Sequence, residues 1–173
     1  MQIREARVDD AEAIARVHVD CWRTTYAQIL PAEYLAQLST AERADHWRRF
    51  LSDSRSAEVV YVAADPADGV VGFASGGPER SGELGFSGEL WCIYLLERAQ
   101  RAGVGRRLVS AVAGRLAELG HASMMVWVLA DNPSRRFYEA LGGTFVTERV
   151  IVLGGKSLVE VAYGWRDLRP LVQ

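Results

Sequence analysis

Cysteine and histidine are scarce: the 173-residue chain has two cysteines, Cys21 and Cys92, and three scattered histidines, His18, His46 and His121. That supply makes no disulfide framework, and no Cys/His cluster has zinc-ligand spacing, so no metal is expected. Both cysteines sit inside apolar patterns and read as packed core thiols. No apolar run approaches the roughly 18 residues of a membrane span. Met1-Gln2-Ile3-Arg4-Glu5 lacks the apolar stretch of a signal peptide. Excess charge of one sign is missing too: 20 Lys+Arg stand against 22 Asp+Glu, a formal net charge of -2, whereas a dedicated nucleic-acid binder carries a strong basic excess. With neither membrane nor nucleic acid as partner, a cytoplasmic location is the expectation. Disorder is excluded by a composition that is 49% hydrophobic and 24% charged. The length suits one domain over residues 1–173, able to bury about two-thirds of its unfolded surface without metal or disulfide.

What is present is a succession of periodic segments. Gln2 to Arg7 reads as a short edge strand. Asp9 then reads as a helix N-cap, with Glu12 completing a capping box, before Ile14, Val17 and Cys21 at helical spacing. Trp22 widens that stripe; the helix runs towards Tyr26. Pro31 opens a second helical stretch through Leu38, and a third follows Thr40 and stops before Ser52-Asp53-Ser54. Val59 to Ala63 and Val70 to Ala74 form a hairpin around Pro66-Ala67-Asp68-Gly69. Seven of the 16 glycines lie between Gly69 and Gly88, which predicts a pliable or bulged link. Glu89 to Leu96 is a strand; Val104, Leu108, Val112, Leu116 and Leu119 mark a helix that stops at Gly120. Met124 to Leu129 is a central strand, and Asn132-Pro133 opens a helix with Phe137 and Leu141 facing inward, stopped by Gly142-Gly143. Thr144 to Leu153 and Ser157 to Trp165 flank Gly154-Gly155 as a final hairpin. The order predicts a mixed α/β fold with antiparallel hairpins at both ends.

The stretch from Glu97 to Arg107 joins a strand to a helix and holds Gly103, Gly105 and four arginines against one glutamate. A helix N-terminus has unpaired N–H groups and a partial positive charge, and glycines let a phosphate approach it, so this junction is an anion cradle. The competing reading is a turn with a solvated arginine face. A Walker loop needs Gly-Lys-Ser/Thr before the helix, which this stretch lacks. A dinucleotide fingerprint needs a third glycine where Leu108 stands.

Gln100-Arg101-Ala102-Gly103-Val104-Gly105 resembles the Q/R-x-x-G-x-G/A signature of the GNAT superfamily of N-acetyltransferases. Glu89 to Leu95 is similar to the family's fourth strand, and Asn132 followed by Phe137-Tyr138-Glu139 and Gly142-Gly143 resembles its second motif. Trp22 to Tyr26 and Tyr163-Gly164-Trp165 are also similar to bacterial members, so the likeness spans nearly the whole chain. Many relatives have proline at Glu97 and glycine at Arg101. The resemblance implies a central mixed sheet of about six to seven strands with a splayed fourth and fifth strand, flanked by about four to five helices.

It also implies acetyl-CoA as co-substrate, held in the splay. Ile93, Tyr94 and Leu95 would pair with the pantetheine arm, Gln100, Arg101, Ala102, Gly103, Val104, Gly105 and Arg106 would hold the pyrophosphate, and Asn132 would bond the pantetheine. The implied acceptor is an amine of a small molecule or protein that attacks the thioester directly, with no acyl-enzyme; a homodimer through the last hairpin is a further implication. Tyr138 matches the family's acid, turned to the flank of its helix, and Glu89 is the candidate base, acting through water. Trp22, Tyr26 and Tyr34 are candidates for the acceptor wall. His18, Asp20 and Glu33 read as helix surface or structural groups, and Cys92 as core rather than nucleophile. A CoA-binding sensor without turnover is the competing class; a nicotinamide oxidoreductase is disfavoured by the broken glycine pattern.

Overall fold

The computed structural model describes residues 1–53 and 57–172. The period-two segments become strands β1 (Gln2–Glu5), β2 (Val59–Asp65), β3 (Gly69–Pro78), β4 (Gly88–Leu95), β5 (Met124–Leu129), β6 (Thr144–Leu153) and β7 (Lys156–Trp165). The helical segments become α1 (Ala11–Thr25), α2 (Ala32–Ala36), α3 (Thr40–Ser52), α4 (Val104–Glu118) and α5 (Arg135–Ala140). The strands form one sheet in the order β1-β2-β3-β4-β5-β7-β6. Every neighbouring pair is antiparallel except β4 and β5, which run parallel. This is the mixed architecture the residue pattern predicts, with helices on both faces.

On one face α4 lays Leu108, Val112 and Leu116, all fully buried, against Val71, Ala74, Leu90 and Val126 of the sheet. Each such side chain contributes about 1.5–3 kcal/mol of burial. On the other face Ile14, Val17 and Cys21 of α1 and Trp47 of α3 cover Val60, Val62 and Phe73. Gly120, at φ +90, ends the α4 segment, and Gly142, at φ +82, follows α5.

Several boundaries differ from the sequence expectation, each for a local reason. A short 3-10 turn, Val8–Asp10, precedes α1. Asp10, not Asp9, is the structural carboxylate: it accepts from the Arg7 amide at 2.7 Å and from both terminal nitrogens of Arg4. Ser39 caps α3 by accepting from the Glu42 amide at 3.2 Å. Ser54 of the stop signal lies outside the described residues. Leu96 falls beyond β4, and its amide bonds Val71 O at 2.9 Å. Asn132 does not cap α5 directly: its Oδ1 accepts from the Ser134 amide at 2.9 Å, making a turn in which Pro133 stands before the helix.

Candidate functional site

Two departures from regular sheet geometry build the site. First, β4 and β5 pair only at Gly88–Met124 and Glu89–Met125, after which they diverge. Beyond that point β4 is half-buried from Trp91 to Leu95, so its edge facing β5 carries backbone groups without a strand partner. Second, the β3–β4 register shifts between Ser75–Cys92 and Gly76–Leu90, leaving Trp91 as a bulged extra residue. Alternation would put Glu89 and Cys92 on opposite faces; the bulge restores them to one. Cys92 and Tyr94 therefore point towards α1, while Ile93 and Leu95 point towards α4. Gly76 is needed at this crossing, since a Cβ there would stand 2.8 Å from both Glu89 O and Val112 Cγ1.

The junction after β4 presents the second half of the site. The Gln100 side chain donates to Leu95 O at 2.9 Å, tying the loop to the end of the strand. Arg101 (φ 61) and Gly103 (φ 75) both take the left-handed conformation, and Gly103 caps α4. The amides of Val104, Gly105 and Arg106 precede Arg107, whose amide bonds Gly103 O at 3.1 Å; as the first amides of the helix they have no carbonyl within it. Gly105 faces α5: a Cβ there would meet Phe137 Cζ at 3.2 Å. A hollow lined by Arg106, Arg107, Ser110, Leu141 and Leu171 lies alongside. Another hollow, on α3, is lined by Asp45, Arg48, Arg49, Ser52 and Asp53, none of which belongs to β4 or β5.

Across the gap a hydroxyl network connects the elements. Trp22 Nε1 donates to the Tyr94 hydroxyl at 2.7 Å, and the Tyr26 phenol lies beside Tyr94 and Asn132, both of which favour its ionised form. Asn132, expected on the pantetheine, is buried close to Tyr26 at the end of α1. Burial pushes the Tyr26 phenol up and the Tyr94 phenol well up. Tyr34 stands 6.5 Å from Trp22, centroid to centroid, and packs on Gly154 of the last turn. Tyr138 is turned inward, 6% exposed, while Phe137 takes the half-buried flank. This reverses the expected facing, because the six-residue α5 packs Tyr138 on Tyr163 and Trp165 of β7. Burial raises the Tyr138 pKa above the ordinary phenol value. No hydrogen bond to its hydroxyl is present among the described residues.

Glu89 is 1% exposed and accepts three hydrogen bonds from Arg80: from the backbone amide at 3.1 Å, Nε at 3.0 Å and Nη2 at 2.5 Å. Arg80, unremarkable in the sequence, is thus its fixed partner. Cys92 lies 3.1 Å from the Ser75 hydroxyl, and burial pushes its thiol to about 11, which leaves too little thiolate at neutral pH for a nucleophile. His18 is buried behind Tyr94, whereas Asp20 and Glu33 are exposed. Among the described residues no cluster of three or more His, Cys, Asp or Glu could hold a metal, and no helix is long and apolar enough to cross a membrane.

Comparison with known proteins agrees with this geometry. The family model described as FR47-like protein matches residues 83–152, which contain the splay and both junctions. The Bacillus subtilis (strain 168) protein called Uncharacterized N-acetyltransferase YuaI is 47% identical over 169 residues, 98% of this chain and 95% of that protein. An N-acetyltransferase from Staphylococcus aureus Mu50 superposes with a TM-score of 0.74 at 20% identity, over 96% of this chain and 98% of that one. The yncA structure from Salmonella typhimurium, solved with its cofactor acetyl-CoA, has a TM-score of 0.71 at 21% identity, over 97% and 94% of the two chains. A parallel pair that separates after two residues, a left-handed glycine opening the next helix, and 47% identity over nearly the full length to a named N-acetyltransferase together mean that the chain belongs to the GNAT superfamily of N-acetyltransferases.

Proposed function

We propose that the protein transfers an acetyl group from acetyl-CoA directly to a primary amine of a small molecule or a protein. The observation that supports this most is the open β4 edge lying next to the unpaired amides of α4. The chain's residues fit the thioester: backbone groups of Ile93 to Leu95 suit the amides of a pantetheine arm, and the amides from Arg101 to Arg106 suit a pyrophosphate. A Cβ on Gly103 would meet nothing within 4 Å, so the cradle is open. Arg106 and Arg107 in the adjoining hollow add positive charge. Acetyl-CoA supplies the activated acyl group.

An alkyl amine with a pKa near ~10.4 is mostly protonated at neutral pH, so its proton must be removed. Glu89 takes that role through water in this reading. Its carboxylate has about four acceptor sites and Arg80 occupies three, which leaves capacity for a water. Tyr138, whose proton is retained at neutral pH, donates to the departing sulfur. Titrating acetyl-CoA by calorimetry, followed by a free-thiol assay with a panel of amines, tests the reading. Binding followed by amine-dependent thiol release is expected. Binding without release for any amine would instead indicate a silent CoA-binding module, and no binding would overturn both.

A further inference from the structure

Glu160 occupies a position where packing alone calls for an apolar residue. On β7 the side chains of Leu158, Glu160 and Ala162 share one face. Leu158 packs with Trp22, Tyr26, Tyr34 and Leu129, and Ala162 packs with Phe86, Met125 and Trp127. Glu160 lies between these two covered clusters, paired in register with Leu129 on one side and Arg149 on the other. Its side chain is 18% exposed. A carboxylate in such a place loses hydration, and one ion pair to a half-exposed arginine restores little of it.

The partnership is also one-sided. Arg149 Nε and Nη2 both donate to Oε2, at 3.0 and 2.8 Å, so Oε1 has no hydrogen-bond partner among the described residues. Arg149 is itself held, its guanidinium 3.9 Å above the Trp127 ring. The charge of Glu160 is felt at both Tyr26 and Arg80. An acceptor atom kept free among aromatic side chains, on the face of the gap that bears Tyr94 and Cys92, is suited to a cationic nitrogen.

We propose that Glu160 is the acceptor-recognition carboxylate, its Oε1 accepting a hydrogen bond from the protonated amino group of an arylalkyl amine whose ring lies against Trp22, Tyr26 and Trp127; in turnover this bound ammonium gives one proton through water to Glu89, and the neutral amine, still donating to Oε1, attacks the thioester. This rests on the acetyl-transfer reading for its place in the reaction, but the binding itself needs no turnover. Tyramine and its uncharged analogue 2-(4-hydroxyphenyl)ethanol are the probes, titrated by calorimetry into the protein loaded with coenzyme A. Tyramine should bind more tightly than the alcohol, and Glu160→Gln should weaken tyramine roughly 10- to 100-fold while barely changing the alcohol. Arg149→Met, which leaves Oε1 in place and keeps apolar cover on Trp127, should retain tyramine binding. No tyramine binding, equal affinity for the two probes, unchanged affinity in Glu160→Gln, or equal losses in the two variants would each overturn the proposal. In turnover, Glu160→Gln should raise the tyramine KM and spare kcat; a fall in kcat at constant KM would make Glu160 a proton acceptor and overturn the anchoring role. Charge-dependent tyramine binding without thiol release would leave this inference standing and remove the transfer reading.

Discussion

A phenol serves as an acid only when it keeps its proton at the working pH and its oxygen is not already committed. Tyr138 meets both conditions. Its ring is fixed among Phe137, Tyr163 and Trp165, with Phe137 at 5.4 Å. Burial, reinforced by Tyr26 and Cys92, disfavours the phenolate. Tyr138→Phe preserves the ring contacts and deletes only the donor. In the proposed reaction it should lower kcat on the order of 100-fold, the usual scale of a lost general acid, with little change in acetyl-CoA affinity or melting temperature. Steady-state kinetics beside calorimetry checks this. An unaltered kcat, once chemistry is shown to limit turnover, removes Tyr138 from the acid role. Such detail was only partly legible in the sequence. The motif named Tyr138, but helical spacing put it on the flank, because a six-residue helix is oriented by the strand beneath it rather than by its own stripe.

At the scale of elements, backbone conformation decides how the α4 cradle is presented. Among the described residues Arg101 is the positive-φ non-glycine residue, at φ 61, and Gly103 follows at φ 75. A side chain in the left-handed region costs about 1–2 kcal/mol, and glycine's extra freedom when unfolded costs about 0.5–1 kcal/mol. The first term is larger, so Arg101→Gly should stabilise the protein by roughly 0.5 kcal/mol, or about 1–2 °C in Tm. Differential scanning calorimetry would show it, and a lowered Tm would mean that Arg101 makes a compensating contact. Apolar periodicity had marked this strand–loop–helix unit and the other long elements, because α4, β5 and the last hairpin bury regular stripes. Apolar periodicity did not mark the bulge at Trp91, which arises where β3 and β4 meet over Gly76; the glycine run from Gly69 to Gly88, which predicts a bulged link, was its signal. Arg80 and Glu160 also escaped that periodicity, although a charged residue alternating with Leu158 and Ala162 was a signal that could have been used.

Across the whole molecule, His18 joins the helical layer to the sheet. Trp47 Nε1 donates to its Nδ1 at 3.4 Å, and its ring stacks on Tyr94 at 4.7 Å. Burial, with Arg43 and His46 adding positive charge nearby, lowers its pKa from 6.5 to about 3. The imidazole is therefore neutral in the folded protein over most of the acid range. Between those two values the unfolded chain binds a proton that the folded chain refuses, so stability falls as pH falls. The slope from this one group approaches about 1.4 kcal/mol per pH unit, large against a typical total of about 5–15 kcal/mol. Asp10, held below the usual carboxylate range by the hydrogen bond from Arg4, acts in the same direction at lower pH. Urea unfolding from about pH 8 to about pH 5 should thus show a flat region above the histidine range and a decline below it. His18→Gln offers Trp47 an acceptor but does not titrate, and it should flatten the decline while running parallel to the parent above pH ~7. An identical slope in the variant would mean that the proton is taken up elsewhere and that the His18 contact does not set the acid limit of the fold.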